Sequence, residues 1–79
     1  MITPAQCRAA RALLELSQKQ LAEEAHVGLR SLQGFEAGER PLQSLAMSAI
    51  VRVLREKGIV LIADTRWSGV KIDKFHQSI

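Results

Sequence analysis

The sequence predicts a mainly α fold: a compact bundle of four helices followed by a short C-terminal β-hairpin. Three observations predict it. Residues that start and stop helices recur at short intervals as far as Gly58. Between them, apolar residues repeat at steps of three and four. After Gly58 the pattern changes to a β-branched run, Ile59-Val60-Leu61-Ile62, and then to the alternation Val70-Lys71-Ile72. The 79 residues leave room for one small core, and with 47% apolar residues but only two Phe, one Trp and no Tyr that core is aliphatic.

Each element has its own justification. Thr3-Pro4-Ala5-Gln6 combines an N-cap threonine, proline at the first helical position and glutamine at the capping-box position. The first helix then offers Ala5, Ala9, Ala12, Leu13 and Leu16 as an apolar stripe. Ser17-Gln18-Lys19-Gln20 repeats the capping grammar and opens a second helix to about Ala25, with Leu21, Ala22 and Ala25 directed at the core. His26-Val27-Gly28 makes a turn, Leu29 to about Ala37 a third helix, and Gly38 its C-terminal cap. A fourth helix from about Ser44 carries Leu45, Ala46, Ala49, Ile50, Val53 and Leu54, and ends at Gly58 after the basic Arg55 and Lys57. The continuous run from Ile59 reads as a strand buried on both faces. Residues 1–58 are expected to form the helical domain, 59–73 the hairpin and 74–79 a loose tail.

Composition narrows the function classes. Eleven Lys and Arg against eight Asp and Glu give a net charge of +3, which permits an anionic partner. Cys7 is the only cysteine, so no internal disulfide forms. His26 and His76 are fifty residues apart, which is not metal-ligand spacing, and Ser17 has no His or Asp arrangement to make it a nucleophile. The expectation is a cytoplasmic, non-enzymatic protein with no catalytic residues, metal or cofactor. No run is long enough to span a membrane and no secretory signal pattern opens the sequence.

The third helix carries the chemistry. On a helical wheel with Leu32 at zero, Phe35 and Glu36 fall within about 60° and 40° of it, and Arg30, Gly34 and Ala37 fall opposite, with Gln33 on the flank. Leu32 and Phe35 thus anchor the helix, and an outward face of Arg, Gln, Ser and small residues remains, able to enter a major groove and read base edges. Glu36 lies on the inner flank, where a carboxylate needs a partner, and Arg11 of the first helix is the natural candidate.

Two short helices around a tight turn outline a helix-turn-helix. The residues Ser17-Gln18-Lys19-Gln20-Leu21-Ala22, then Val27, then Phe35-Glu36-Ala37-Gly38-Glu39-Arg40-Pro41 resemble those of the lambda-repressor/Cro-like (XRE) family, over roughly residues 3 to 57. The resemblance implies a lambda-repressor-like helix-turn-helix bundle that binds double-stranded DNA as a two-fold dimer. It assigns Leu29, Arg30, Gln33 and Gly34 to base edges and Gln18, Ser31 and Arg40 to the DNA backbone. It makes Arg11 and Glu36 a structural ion pair. Gly28 stands where the family prefers Ser or Thr, and Leu29 and Gly34 replace positions that are often polar, so direct readout rests on few side chains.

The expected function is sequence-specific transcriptional regulation, in the repressor sense, by operator occupancy as a homodimer. Two alternatives stand beside it: an antitoxin-type protein that also binds a partner protein through its hairpin, and a protein-binding module that has lost DNA binding. Dimerisation is expected through the first strand, at Ile59, Leu61 and Ala63, because a lone hairpin is marginal and an uncovered apolar edge invites association. The competing arrangement folds the hairpin onto the fourth helix of its own chain.

Overall fold

A computed structural model describes residues 1–73. In chain order it contains α1 (Pro4–Leu14), α2 (Gln18–Ala25), α3 (Leu29–Glu36), α4 (Ser44–Glu56), β1 (Ile59–Ala63) and β2 (Ser68–Ile72). The expected tail, 74–79, lies outside the described residues.

The helix boundaries follow from local chemistry. Thr3 and Ser17 both close full capping boxes, with Gln6 and Gln20 returning a hydrogen bond to the cap backbone. A Schellman arrangement ends α3: Gly38 N–H donates to the Phe35 carbonyl and Glu39 N–H to the Gly34 carbonyl, both at 2.9 Å. Gly38 has φ +76°, the left-handed conformation that glycine enters without steric penalty. Gln43, one residue before the expected start, caps α4 without a side-chain hydrogen bond.

The core is aliphatic and centres on Leu21, Leu32, Ile50 and Leu54, with Cys7 among the fully buried side chains and Phe35 beside them. The inward face of α1 differs from the expected stripe. Gln6, Cys7 and Ala10 are buried, whereas Ala5, Ala9, Ala12 and Leu13 are exposed. The physical reason is polar: this face serves hydrogen-bonding partners on the hairpin and on α3, which an alanine row cannot. In α4 the buried side chains are Met47, Ile50, Val53 and Leu54, and Leu45 is 87% exposed.

The strands pair antiparallel with Ile59 opposite Ile72 and Leu61 opposite Val70. Those four side chains pack on the helical core, β2 lying along α1 and β1 meeting α4. The hairpin therefore rests on two helices of its own chain. Its first strand is not buried on both faces, because Val60 points away from the bundle and is 44% exposed. One polar side chain pins the sheet in place. Gln6 Nε2 donates to the carbonyls of Ile62 (3.0 Å) and Gly69 (2.9 Å), and its Oε1 accepts from Thr3 N–H (3.0 Å). The Asp64 carboxylate closes the hairpin turn by accepting from the Arg66 and Trp67 amides.

Candidate nucleic-acid interface

The turn between α2 and α3 is held without glycine in the left-handed region. His26 takes that conformation (φ 55°), and Val27 N–H bonds back to the Ala22 carbonyl at 2.9 Å. Val27 then packs against the core and Gly28 opens α3, which has no side-chain cap. Leu32 and Phe35 are buried, fixing the rotation of α3.

Glu36 locks that rotation. Its carboxylate is at the centre of a knot joining three helices. Arg11 Nη2 lies 2.6 Å from Oε1 and Arg11 Nε 2.7 Å from Oε2, a bidentate pair. Gln18 Nε2 donates to Oε1 and the Cys7 thiol to Oε2, each at 3.0 Å. Arg11 Nη1 also donates to the Leu16 carbonyl, and Arg8 Nη1 to the Glu36 carbonyl. Burial is the largest single influence on the Glu36 carboxyl and pushes its pKa up. The hydrogen bonds from Arg11, Cys7 and Gln18, with the charge of Arg11, outweigh it and leave the group below its ordinary value. Burial pushes the Cys7 thiol upward, reinforced by its hydrogen bond to Glu36 and by the carboxylate charge.

On the opposite face the donors are uncommitted. Arg30, Ser31 and Gln33 are exposed, and Leu29 is 37% exposed. The side chains of Arg30 and Gln33 make no hydrogen bond or ion pair among the described residues. Neither α2 nor α3 has an acidic residue in its first turn, so both helix N-termini keep their partial positive charge. Gly34 departs from the expected exposure. It is buried, because the side chain of Arg40 lies across it.

Arg40 and Pro41 leave α3 and, with Arg30, Ser31 and Leu45, line a shallow groove of about 730 Å³. A family model described as helix-turn-helix matches residues 8–60. The chain belongs to the XRE helix-turn-helix family. No curated protein matches it. As an XRE protein it is a DNA-binding regulator, built on a regulatory domain and not a catalytic one. Among the described residues no helix is long and apolar enough to cross a membrane, and no three His, Cys, Asp or Glu side chains gather as a metal site.

The structure brings together most of the residues expected at the DNA surface and sets others apart. Arg30, Ser31 and Gln33 share one open face, whereas Gln18 turns one amide N–H inward to Glu36. Ile59 is 2% exposed in its own core, Leu61 is half-buried on the same face and Ala63 is exposed. Sequence reasoning missed Cys7, Gln18 and Arg8 as partners of Glu36. Their signal was available: Cys7, Arg8 and Arg11 repeat at helical spacing on α1, beside a glutamate already known to need partners. Trp67 is 65% exposed in the hairpin turn with the Arg66 guanidinium 5.9 Å from its ring centre.

Proposed function

We propose that this XRE protein is a sequence-specific transcriptional repressor that occupies its operator as a homodimer. The observation that carries the reading is the uncommitted outward face of α3. A helix locked in rotation by Leu32, Phe35 and Glu36 presents Arg30 and Gln33 with every side-chain donor free. In the major groove these side chains read base edges, and Leu29 adds an apolar contact suited to a thymine methyl. Gln18 has two amide hydrogens. One is held by Glu36, which orients the second outward at the start of α2, where it meets a phosphate together with the helix N-terminus. Ser31, exposed on the same helix, adds a backbone contact in this reading.

The second copy is assigned to the open edge of β1. Ladder pairing alternates along antiparallel strands. The bonds Asp73 N–H to Gly58 carbonyl and Asp64 N–H to Trp67 carbonyl set the phase. In that phase the backbone groups of Ile59, Leu61 and Ala63 point away from β2. An identical edge pairs with them about a two-fold axis, which makes a self-complementary interface and removes an aggregation-prone edge.

Selection of bound duplexes from a random DNA pool tests the reading. The expected result is an enriched sequence with two related half-sites about one helical turn, roughly 34 Å, apart. Failure to retain any duplex overturns it. For the dimer, Ala63→Pro removes an edge N–H at an exposed position, so sedimentation should show a shift toward monomer. A variant that stays dimeric at the same concentration moves the interface elsewhere.

A further inference from the structure

We propose that Arg40 reads a base edge, from a seat that Gly34 leaves on the outward face of α3, in place of the backbone contact the family pattern implies. The inference rests on the DNA-binding reading above and assigns within it a specificity-determining residue.

Gly34 lies on the side of α3 opposite Leu32, next to Arg30 on the wheel, yet it is buried. The cover is Arg40. A Cβ built on Gly34 would stand 2.6 Å from Arg40 Nε and 3.2 Å from both Cγ and Nη2. The stem and guanidinium thus lie directly against the helix backbone. Gly34 sits within α3 without a positive φ, so its conformation does not call for glycine, and alanine is the better helix former. The space taken by Arg40 accounts for glycine at this position.

The loop holds the arginine there. Glu39 N–H is bonded to the carbonyl of Gly34 itself, so the chain enters Arg40 from the residue it covers, and Pro41 restricts the next φ. Arg40 has no hydrogen-bond or ion-pair partner among the described residues, and it remains exposed. Its side chain is placed by packing, and its fork of donors is left without a protein partner in the groove that it lines with Arg30 and Ser31. That combination suits bidentate recognition of guanine O6 and N7. A phosphate contact needs only a charge on a loop and would not call for a notch in the recognition helix.

The test compares duplexes selected from a random pool by the wild-type protein, Arg40→Ala, Arg40→Lys and Gly34→Ala, each checked for helical circular dichroism. Wild type should prefer G·C at one position of each half-site by roughly 5- to 150-fold. All three variants should lose that preference and keep the others: the alanine lacks the fork, the lysine keeps only the charge, and the Cβ at position 34 displaces the guanidinium. If Arg40→Ala weakens all duplexes alike with every preference intact, Arg40 is a phosphate contact and the proposal fails. If Arg40→Lys keeps the preference, the bidentate readout fails. If Gly34→Ala alone keeps it, the seat is overturned. A wild-type protein that retains no duplex overturns the DNA-binding reading itself, which none of the variant patterns does.

Discussion

The two faces of α3 treat their polar groups in opposite ways. On the inner face the Glu36 carboxylate receives four hydrogen bonds, two from Arg11 and one each from Gln18 and Cys7. On the outer face the side chains of Arg30 and Gln33 receive and give none among the described residues. Buried polar groups must be satisfied where water is excluded, and a fully satisfied network specifies one arrangement of the helices around it. Exposed donors are satisfied by water, which DNA displaces. The inner face therefore sets the angle at which the outer face is offered, and disturbing the two should give separable phenotypes: lost stability inside, lost recognition outside.

The largest effect should come from the inner face. Arg11→Ala leaves a buried carboxylate with only Gln18 and Cys7, and removing one partner of a buried pair costs about 3–5 kcal/mol. Denaturant unfolding of a domain this small would show most of its stability gone. Replacing both members, as Arg11→Met with Glu36→Leu, should recover a large part of the loss. A double-mutant cycle with no coupling energy would mean that the knot is incidental to the fold.

Acid should reveal the same carboxylate. The Glu36 pKa in the folded chain lies below the ordinary value of 4.5. A depressed folded pKa contributes stability that is fully present above the unfolded value and is lost as pH falls through the folded one. The stability gap between wild type and Glu36→Gln should therefore be constant above about pH 5 and narrow only in the acid range below 4.5. A gap that narrows near neutrality would contradict the direction of the shift.

These residues also show what the sequence made legible. Four helices, both capping boxes, Gly38 as a stop signal and the hairpin were readable because each rests on local backbone chemistry. Glu36 was readable as a group that needs Arg11, because the helical wheel forces it inward. The inward face of α1 was not. Its buried positions are Gln6, Cys7 and Ala10, which have little hydrophobic weight, whereas its exposed side carries alanines and Leu13. In α1 periodicity points to the wrong side because the helix packs there through Gln6 and Cys7 hydrogen bonds. Leu45 misled for another reason: it falls about 140° from Ile50 on the α4 wheel, off the buried face, although Leu42 and Met47 on either side of it are in the core. At the candidate site, Arg30 and Gln33 were legible from rotation alone. The covering of Gly34 by Arg40 depends on how a loop returns across the helix, which spacing does not encode.

Gln6 gives a smaller and more local effect. Its amide is the polar bridge between α1 and the hairpin, with three hydrogen bonds and 3% exposure. Gln6→Leu leaves the Thr3 N–H without its partner and removes two bonds to the sheet, so a loss of about 1–3 kcal/mol is expected. Hydrogen exchange should localise it: the Ile62 and Gly69 amides should exchange faster, with those of α4 little changed. Uniform acceleration would show that the hairpin and the bundle open as one unit.

The smallest effect belongs to the outer face, at the start of α3. Gly28 has φ −60° and ψ 135°, which any residue adopts, so glycine is not demanded by the backbone. The nearest atom to a Cβ built there is Ser31 Oγ at 3.6 Å, an ordinary contact, so a side chain fits. The helix begins with no side-chain hydrogen bond to its free N–H groups. Gly28→Ser would supply an acceptor for one of them, and serine exceeds glycine as an N-cap by only a few tenths of a kcal/mol. The urea midpoint should therefore rise slightly, with no change in the slope of the transition. That same N-terminus faces DNA in the proposed complex, and a hydroxyl that takes an N–H also competes with a phosphate for it. The expected pairing is a small gain in stability with no gain in affinity for DNA. A fall in stability would mean that the turn needs the bare backbone of glycine, and the inner and outer faces of α3 would then be less separable than their hydrogen bonds indicate.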